Sequence, residues 1–188
     1  MAHTCSGSGM TNADMVHRLK AEGIFSDPRV ESALLSVDRG DFCCSSPYIH
    51  PYRDAPMSIG YNATISAPHM NHLVEGSRAL DVGRGSGYLT ACMAAMVGAT
   101  GKVVGIERIP QLVQLGIDNI AKMNEHHNDY LTTGRVKMVE GDGRLGYAIE
   151  GGYNAIHVRA SAPTIPEELL QQMADGGRMV IPVGITHQ

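Results

Sequence analysis

The sequence has 188 residues, a hydrophobic fraction of 43% and a formal net charge of −4 at pH 7. This length is typical of one domain whose own core is large enough to be stable without a metal ion or a disulfide. The slightly acidic balance argues against a nucleic-acid-binding surface, and no apolar run approaches the ~20 residues that cross a bilayer.

The N-terminal segment, residues 1–10, lacks the basic start and apolar centre of a signal peptide. We expect it to be a flexible tail or an expression remnant. The cysteines show neither a C-x-x-C pair nor the spacing of zinc ligands, which favours free thiols and a cytoplasmic location. They are Cys5, Cys43, Cys44 and Cys92.

Two short helices are predicted in the first third of the sequence. Thr11, followed three residues later by Asp14, has the pattern of a capping box that starts a helix. Asp27 before Pro28 is a second start signal, because the acid caps the helix and proline lacks an N–H that the first turn would leave unused. Residues 38–70 show no regular apolar pattern, and we predict a loop-rich connection there.

Short strands alternate with helices from residue 78 onward. The alternation predicts right-handed crossovers and a mostly parallel sheet that helices cover on both faces. The fold class is therefore α/β and doubly wound, with residues 11–188 as one domain and the sheet in residues 78–188. The predicted strands are residues 78–82, 102–107, 135–140, 153–158 and 178–183, and the predicted helices are residues 88–97 and 110–124.

A glycine-rich turn, LDVGRGSGY, joins the first of these strands to the first helix. Its glycines are Gly83, Gly85 and Gly87. Such a turn lets backbone N–H groups approach a ligand at the positive end of a helix. The dinucleotide fingerprint would need a glycine at position 88, where Tyr88 stands, so binding of a pyrophosphate is disfavoured.

Acidic residues lie at the ends of three predicted strands. Glu107, about 20 residues beyond the turn, can accept hydrogen bonds from both hydroxyls of a ribose. Asp142 can accept from an adenine amino group, and Asp81 can either brace the turn or face a sulfonium group. Because the carboxyl ends of parallel strands share one edge, we expect the acids around one crevice. They suit cationic S-adenosylmethionine better than a phosphate; the alternative is that each acid only caps a turn or a helix.

These residues resemble the protein-L-isoaspartate (D-aspartate) O-methyltransferase family over nearly the whole chain. The most specific string is T-I-S-A-P-H-M at residues 64–70, whereas the glycine turn is common to methyltransferases in general. Other matching strings are ALDVGRGSGYLTACMAAMVG, GKVVGIE, GRVKMVEGDGR and YNAIHVRASAP.

The resemblance implies a Rossmann-like methyltransferase domain, with N-terminal helices and a substrate loop in residues 11–77. It implies methyl transfer from S-adenosyl-L-methionine to the free carboxylate of L-isoaspartyl and D-aspartyl residues in damaged proteins and peptides. It also implies a cytoplasmic monomer.

The resemblance also implies a role for individual residues. Ser66 is implied as the active-site serine. The implied substrate-binding residues are Ile65, Ser66, Val158 and Ala160. The implied cofactor-binding residues are Thr64, Ile65, Ser66, Gly83, Gly85, Ser86, Gly87, Glu107, Gly141, Asp142 and Gly143.

The implied reaction explains why a serine can suffice. A carboxylate with an ordinary pKa of about 3.9 is already ionised at neutral pH, so the enzyme needs no general base. Its tasks are alignment of the two reactants and removal of water. The Ser66 hydroxyl would donate to one carboxylate oxygen and direct the other at the methyl carbon; the alternative is that Ser66 only caps the following helix.

The chain departs from the family pattern in several places. After Met70 only seven residues precede the first sheet strand, where the family has a helix, and the family's last two strands have no counterpart before Gln188. Both differences favour the absence of segments from the sequence. Arg84 and Arg159 replace small residues, and Asn71 stands where the family has a histidine near the cofactor carboxylate.

Alternative readings stay open on the sequence alone. His69 and His72 have the i, i+3 spacing of metal ligands, but no third ligand is placed to join them, so we expect no metal site. Besides the repair enzyme, the sequence allows a methyltransferase of the same fold acting on another carboxylate or a small molecule, although no general base is evident beside Ser66. It also allows a non-catalytic protein that binds S-adenosylmethionine.

Overall fold

The computed structural model describes residues 10–43, 50–61, 63–65, 73–124 and 129–184. The predicted tail, residues 1–10, lies outside this part of the chain except for Met10. Thr11 and Asp14 form both hydrogen bonds of the predicted capping box, and Asp27 caps the second helix, so both start signals are confirmed. The N-terminal elements are helices α1 (Asn12–Ala21) and α2 (Pro28–Ser36) and a 3₁₀ turn (Arg39–Phe42).

A short antiparallel hairpin lies where the sequence predicts only a loop. Its strands are β1 (Met57–Gly60) and β2 (Ala63–Ile65). Strands this short show no visible alternation, and the chain reverses at Gly60 and Tyr61, whose φ values are 87° and 53°. The hairpin buries Ile65 in the core and leaves Thr64 exposed.

The rest of the described chain forms a five-stranded sheet in which all pairs are parallel. Its strands are β3 (Arg78–Val82), β4 (Lys102–Glu107), β5 (Val136–Glu140), β6 (Tyr153–Val158) and β7 (Met173–Val180). Their order is β5-β4-β3-β6-β7. The predicted α/β class and parallel sheet are confirmed, and the bounds of β3, β4 and β6 agree with those predicted.

Helices connect these strands. The helices are α3 (Tyr88–Val97), α4 (Pro110–Asn124) and α5 (Glu167–Gln171), and two 3₁₀ turns (Gly143–Leu145 and Ala148–Glu150) lie between β5 and β6. The first two helices have the predicted bounds. The third was not predicted, because five residues are too few to show helical periodicity.

The last strand differs most from its prediction. β7 begins at Met173 and ends at Val180, whereas the sequence predicts a strand at residues 178–183. The early part is irregular, with a register shift against β6 between Tyr153 and Ala155. Regular pairing stops before Pro182, because proline has no N–H to give to the ladder.

Apolar side chains cover both faces of the sheet. On one face, helices α1 to α4 pack against Ala79, Val103 and Val136 in the larger core. On the other face, a smaller core of strand residues packs against Leu169 of α5. Helices on both faces make the described sheet doubly wound, and its carboxyl edge is left for a ligand.

Candidate active site

The candidate site lies at the carboxyl edge of the sheet beside β3. This strand has β4 on one side and β6 on the other, so the connections on its two sides run apart. In doubly wound sheets such a point opens a crevice outside the carboxyl ends of the strands. A cavity of about 420 Å³ lies here. The predicted site residues that line it are Gly83, Glu107, Asp142, Gly143, Val158 and Ala160.

The predicted glycine turn lies between β3 and α3. Gly83, Gly85 and Gly87 have φ values of 73°, 56° and 90°, a region in which other residues are strained. The Gly83 N–H donates to the carbonyl of Ile106 at 2.9 Å, which ties the turn to β4. A Cβ on Gly85 would lie 2.9 Å from Cδ1 of Ile59, so the hairpin packs closely over the turn.

Glu107 links the glycine turn to the segment that leads from β4 into α4. It ends β4 and is only 7% exposed. Its Oε2 accepts from the N–H of Gly85 at 3.1 Å, and its Oε1 accepts from the N–H groups of Arg108 at 2.8 Å and Ile109 at 3.1 Å. A carboxylate has about four acceptor positions, so one remains for a ligand that enters the cavity.

Asp142 lies just after the end of the neighbouring strand β5 and is more exposed than Glu107. Its carboxylate accepts from the backbone N–H of Arg144 at 3.0 Å and from the guanidinium of the same residue. These hydrogen bonds lower the pKa of Asp142 to about 2, so it stays ionised at any physiological pH. The N–H of Gly141 donates to the Glu107 carbonyl at 3.0 Å, which sets the two acids side by side.

Asp81 does not line the cavity. It is fully buried on the α3 side of the sheet, where its Oδ2 accepts from the Thr90 hydroxyl at 2.7 Å. Burial raises the pKa of Asp81, but the charge of Arg159, the electrostatic effect of His157 and the hydrogen bond from Thr90 outweigh it, and the net pKa is lowered. Of its two predicted roles, the structure favours bracing of the turn against α3.

Arg84 lies inside the protein and not in the cavity. Its guanidinium donates to the carbonyl oxygens of Val113 at 3.0 Å and Leu112 at 3.4 Å, both in the first turn of α4. Two glycines make room for it: a Cβ on Gly105 would lie 2.5 Å from Cδ of Arg84, and a Cβ on Gly116 would clash with Nη1. Burial lowers the pKa of Arg84 to about 10, so it remains charged at neutral pH.

Two arginines on the cavity wall were not predicted. Arg108 and Arg144 line it beside the two acids. Each follows a predicted acid within two positions of the sequence, and that proximity is the signal that could have found them. Together with Glu107 and Asp142, they place two positive and two negative formal charges around the cavity.

The other predicted site residues that the structure describes do not line this cavity: Thr64, Ile65, Gly85, Ser86, Gly87 and Gly141. The Thr64 carbonyl lies 3.8 Å from where a Cβ on Gly85 would be, so the end of β2 approaches the turn. Ser86 is fully buried, and its carbonyl accepts from Asn119 at 3.1 Å, which ties the turn to α4.

Part of the predicted site falls outside the described residues. Ser66, Asn71 and the histidine pair His69 and His72 are among these positions. Within the described ranges, no group of three histidine, cysteine or acidic side chains is placed to hold a metal ion.

Comparison with known proteins gives a consistent result. The family model for protein-L-isoaspartate(D-aspartate) O-methyltransferase matches residues 10–188. A protein-L-isoaspartate O-methyltransferase of Caenorhabditis elegans is 52% identical over 185 residues, which cover 94% of this chain and 79% of that protein. Protein-L-isoaspartate O-methyltransferase 1 of Arabidopsis thaliana is 48% identical over 184 residues, covering 92% and 77%.

A solved structure is also similar over most of both chains. It is a Plasmodium falciparum protein-L-isoaspartate O-methyltransferase crystallised with S-adenosyl-L-homocysteine. It has 35% sequence identity and a TM-score of 0.81, and the match covers 93% of this chain and 85% of that one. The similarity therefore extends from the N-terminal helices through the sheet.

The packing of Arg84 against Gly116 gives a prediction for stability. Gly116→Ala should lower the free energy of unfolding by about 1–3 kcal/mol, because the new methyl group displaces a buried guanidinium. In an Arg84→Ser background the same change should stabilise the helix by about 0.5–1 kcal/mol, as alanine normally does. Urea unfolding followed by circular dichroism measures both effects, with exposed Gln111→Ala in the same helix as the control. Stabilisation by Gly116→Ala in both backgrounds would contradict the placement of Arg84.

Proposed function

The chain belongs to the protein-L-isoaspartate(D-aspartate) O-methyltransferase family, and from that premise we propose how its own residues serve methyl transfer. The enzyme is an S-adenosylmethionine-dependent protein carboxyl O-methyltransferase that acts on isoaspartyl residues. The observation that carries the residue assignment is the cavity between the glycine turn with Glu107 and the chain after β6. The first wall faces the methyl donor, and the second faces the peptide.

The first wall fits a nucleoside with a positive charge. Gly83 leaves space above the turn, since nothing lies closer than 3.7 Å to where its Cβ would be. Glu107 retains one acceptor position, which suits one ribose hydroxyl, and Asp142 with Gly143 borders the proposed position of the adenine. When bound, S-adenosylmethionine supplies a methyl group on a positively charged sulfur.

The second wall fits a peptide backbone. Val158 ends β6, and Ala160 follows it on the cavity wall. The side chains of Val158 and Ala160 are small, so an extended peptide can approach their backbone. Pro163 and Pro166 continue this wall and make it rigid, since proline fixes its own φ.

The cavity suits an acceptor that needs no general base. Within the described residues, its wall has no histidine, lysine, cysteine or tyrosine. Asp142, with a pKa of about 2, is too weak a base to take a proton from an amine or a hydroxyl. Glu107 already accepts three N–H groups. A carboxylate acceptor, which arrives ionised, therefore fits better than the small-molecule alternative.

The proposed active-site serine follows directly on the hairpin. Ile65 ends β2, and the Thr64 carbonyl approaches the glycine turn, so the described hairpin ends close to this turn. We assign to the Ser66 hydroxyl the orientation of the substrate carboxylate. Removal of this hydroxyl should disturb alignment and leave cofactor affinity nearly unchanged.

The proposal extends to the setting in which the enzyme works. No helix in the described ranges is long and apolar enough to span a membrane. We propose a cytoplasmic monomer that binds isoaspartyl proteins and peptides without nucleic acid, which agrees with the net charge of −4.

The substrate assignment is tested with a matched pair of peptides. One peptide carries a single isoaspartyl residue, and its twin carries a normal aspartyl residue at the same position. We expect labelled methyl transfer to the first peptide alone. Equal labelling of both peptides would favour a methyltransferase of wider substrate range, and donor binding without labelling would favour the non-catalytic reading.

Ser66→Ala should lower kcat by about 10- to 100-fold, because the hydroxyl aligns the reacting carboxylate. The dissociation constant for S-adenosylhomocysteine should change by less than about twofold, since the hydroxyl is assigned to the substrate. Steady-state kinetics and isothermal titration calorimetry give the two values, with Ser32→Ala on the exposed face of α2 as the matched control. An unchanged kcat would remove Ser66 from the mechanism.

Glu107→Gln should weaken binding of S-adenosylhomocysteine by about 10- to 100-fold, because it removes a charged acceptor near the ribose and loosens the turn. Glu140→Gln is the matched control, since Glu140 ends the neighbouring strand β5 and is exposed. Titration calorimetry of both variants provides the comparison. Equal affinities would show that Glu107 only braces the backbone.

A further inference from the structure

A second polar cluster lies beside the glycine turn, and its residues do not line the cavity. It consists of Asp81 at the end of β3 and His157 and Arg159 at and after the end of β6. His157 Nδ1 and Arg159 Nε each lie 3.7 Å from Oδ1 of Asp81, which is too long for a hydrogen bond. The three side chains therefore lie close together but form no hydrogen bond with one another at these atoms.

The cluster leaves several polar atoms unsatisfied. Asp81 Oδ1, His157 Nδ1, and Nε and Nη1 of Arg159 are all buried and have no hydrogen-bond partner among the described residues. The Arg159 side chain is only 8% exposed. Because unpaired buried polar groups are costly and rare, their concentration at one place indicates a polar ligand.

The guanidinium of Arg159 lies against the glycine turn. The Arg159 Cβ lies 3.7 Å from where a Cβ on Gly83 would be, and Nη1 lies 4.0 Å from the same position on Gly85. The same point on Gly85 is close to the Ile59 side chain and the Thr64 carbonyl. Nη1 is therefore held between the turn and the hairpin, whereas Nε faces Asp81.

We infer that Arg159 binds the carboxylate at the amino-acid end of the methyl donor. A guanidinium whose Nε and Nη1 donate no hydrogen bond is well suited to bind a carboxylate in a buried place. Oδ1 of Asp81, 3.7 Å from Nε, accepts no hydrogen bond and adds an acceptor, so this ion pair is complementary to an amino-acid head group that carries both charges. The inference rests on the proposed function, because it assumes that the glycine turn faces the methyl donor.

A carboxylate could also come from the isoaspartyl substrate, and the position of Arg159 favours the donor. The guanidinium is closest to the glycine turn and to Asp81. Its neighbours in the chain, Val158 and Ala160, line the proposed peptide wall, but the Arg159 side chain itself is not part of that wall. The experiment therefore measures the two carboxylates separately.

The test compares two nucleosides that differ in the amino-acid end. S-adenosyl-L-homocysteine carries it, and 5′-methylthioadenosine lacks it. In the full chain, Arg159→Gln should weaken binding of the first by about 10- to 100-fold and change binding of the second by less than about twofold. Arg159→Lys, which keeps the charge, should lose less affinity. Arg178→Gln on the exposed strand β7 is the control, and titration calorimetry provides the dissociation constants.

Other outcomes would overturn the assignment. Equal losses for both nucleosides would show that Arg159 only supports the turn. If Arg159→Gln left the affinity for S-adenosyl-L-homocysteine unchanged and raised the KM for the isoaspartyl peptide, Arg159 would instead bind the substrate carboxylate. If the wild-type chain bound neither nucleoside, the proposed function would fail as well; if it bound both and Arg159→Gln made no difference, only this inference would fail.

Discussion

The hydrogen bonds accepted by Glu107 hold the ligand-facing edge of the sheet together. One oxygen binds the turn after β3 through Gly85, and the other binds the chain that leads into α4 through Arg108 and Ile109. Each donor is a backbone N–H, so the arrangement depends on a carboxylate at the end of β4 and on little else. A charged acceptor makes each of these bonds stronger than a neutral one would. The acid that we propose to receive the ribose is thus also the one that shapes the glycine turn.

The buried guanidinium of Arg84 shows what this edge tolerates. It does not line the cavity, because it points to α4 and donates to carbonyl oxygens there. Gly105 in β4 and Gly116 in α4 provide the space. A buried cation needs partners, and here backbone carbonyls provide most of them. An arginine in the middle of a glycine turn is therefore compatible with an open site, which the sequence alone leaves undecided.

Strong local signals allowed much of the fold to be predicted from the sequence. Helix starts at Thr11 and Asp27 depend only on neighbouring residues, and buried parallel strands such as residues 102–107 have an uninterrupted apolar centre. The β1–β2 hairpin and α5 were missed because their elements are too short for a period to show. The site was predicted where acids end strands, since a parallel sheet brings such ends together. The direction in which each side chain points was not predictable from the sequence. Asp81 points into the core and away from the cavity, and Asp142 points to Arg144.

Charge balance at the cavity agrees with the reaction. Glu107 and Asp142 oppose Arg108 and Arg144 on its wall, so the site gains no net charge from these four side chains. The reaction consumes one positive and one negative charge, from the sulfonium and from the carboxylate, and leaves neutral groups. Removal of water is less costly for a transition state in which these charges are already partly cancelled than for the separate ions. A nearly neutral, closely lined cavity therefore favours the transfer without a base, and a strongly acidic one would hold the cation and repel the anion that must attack it.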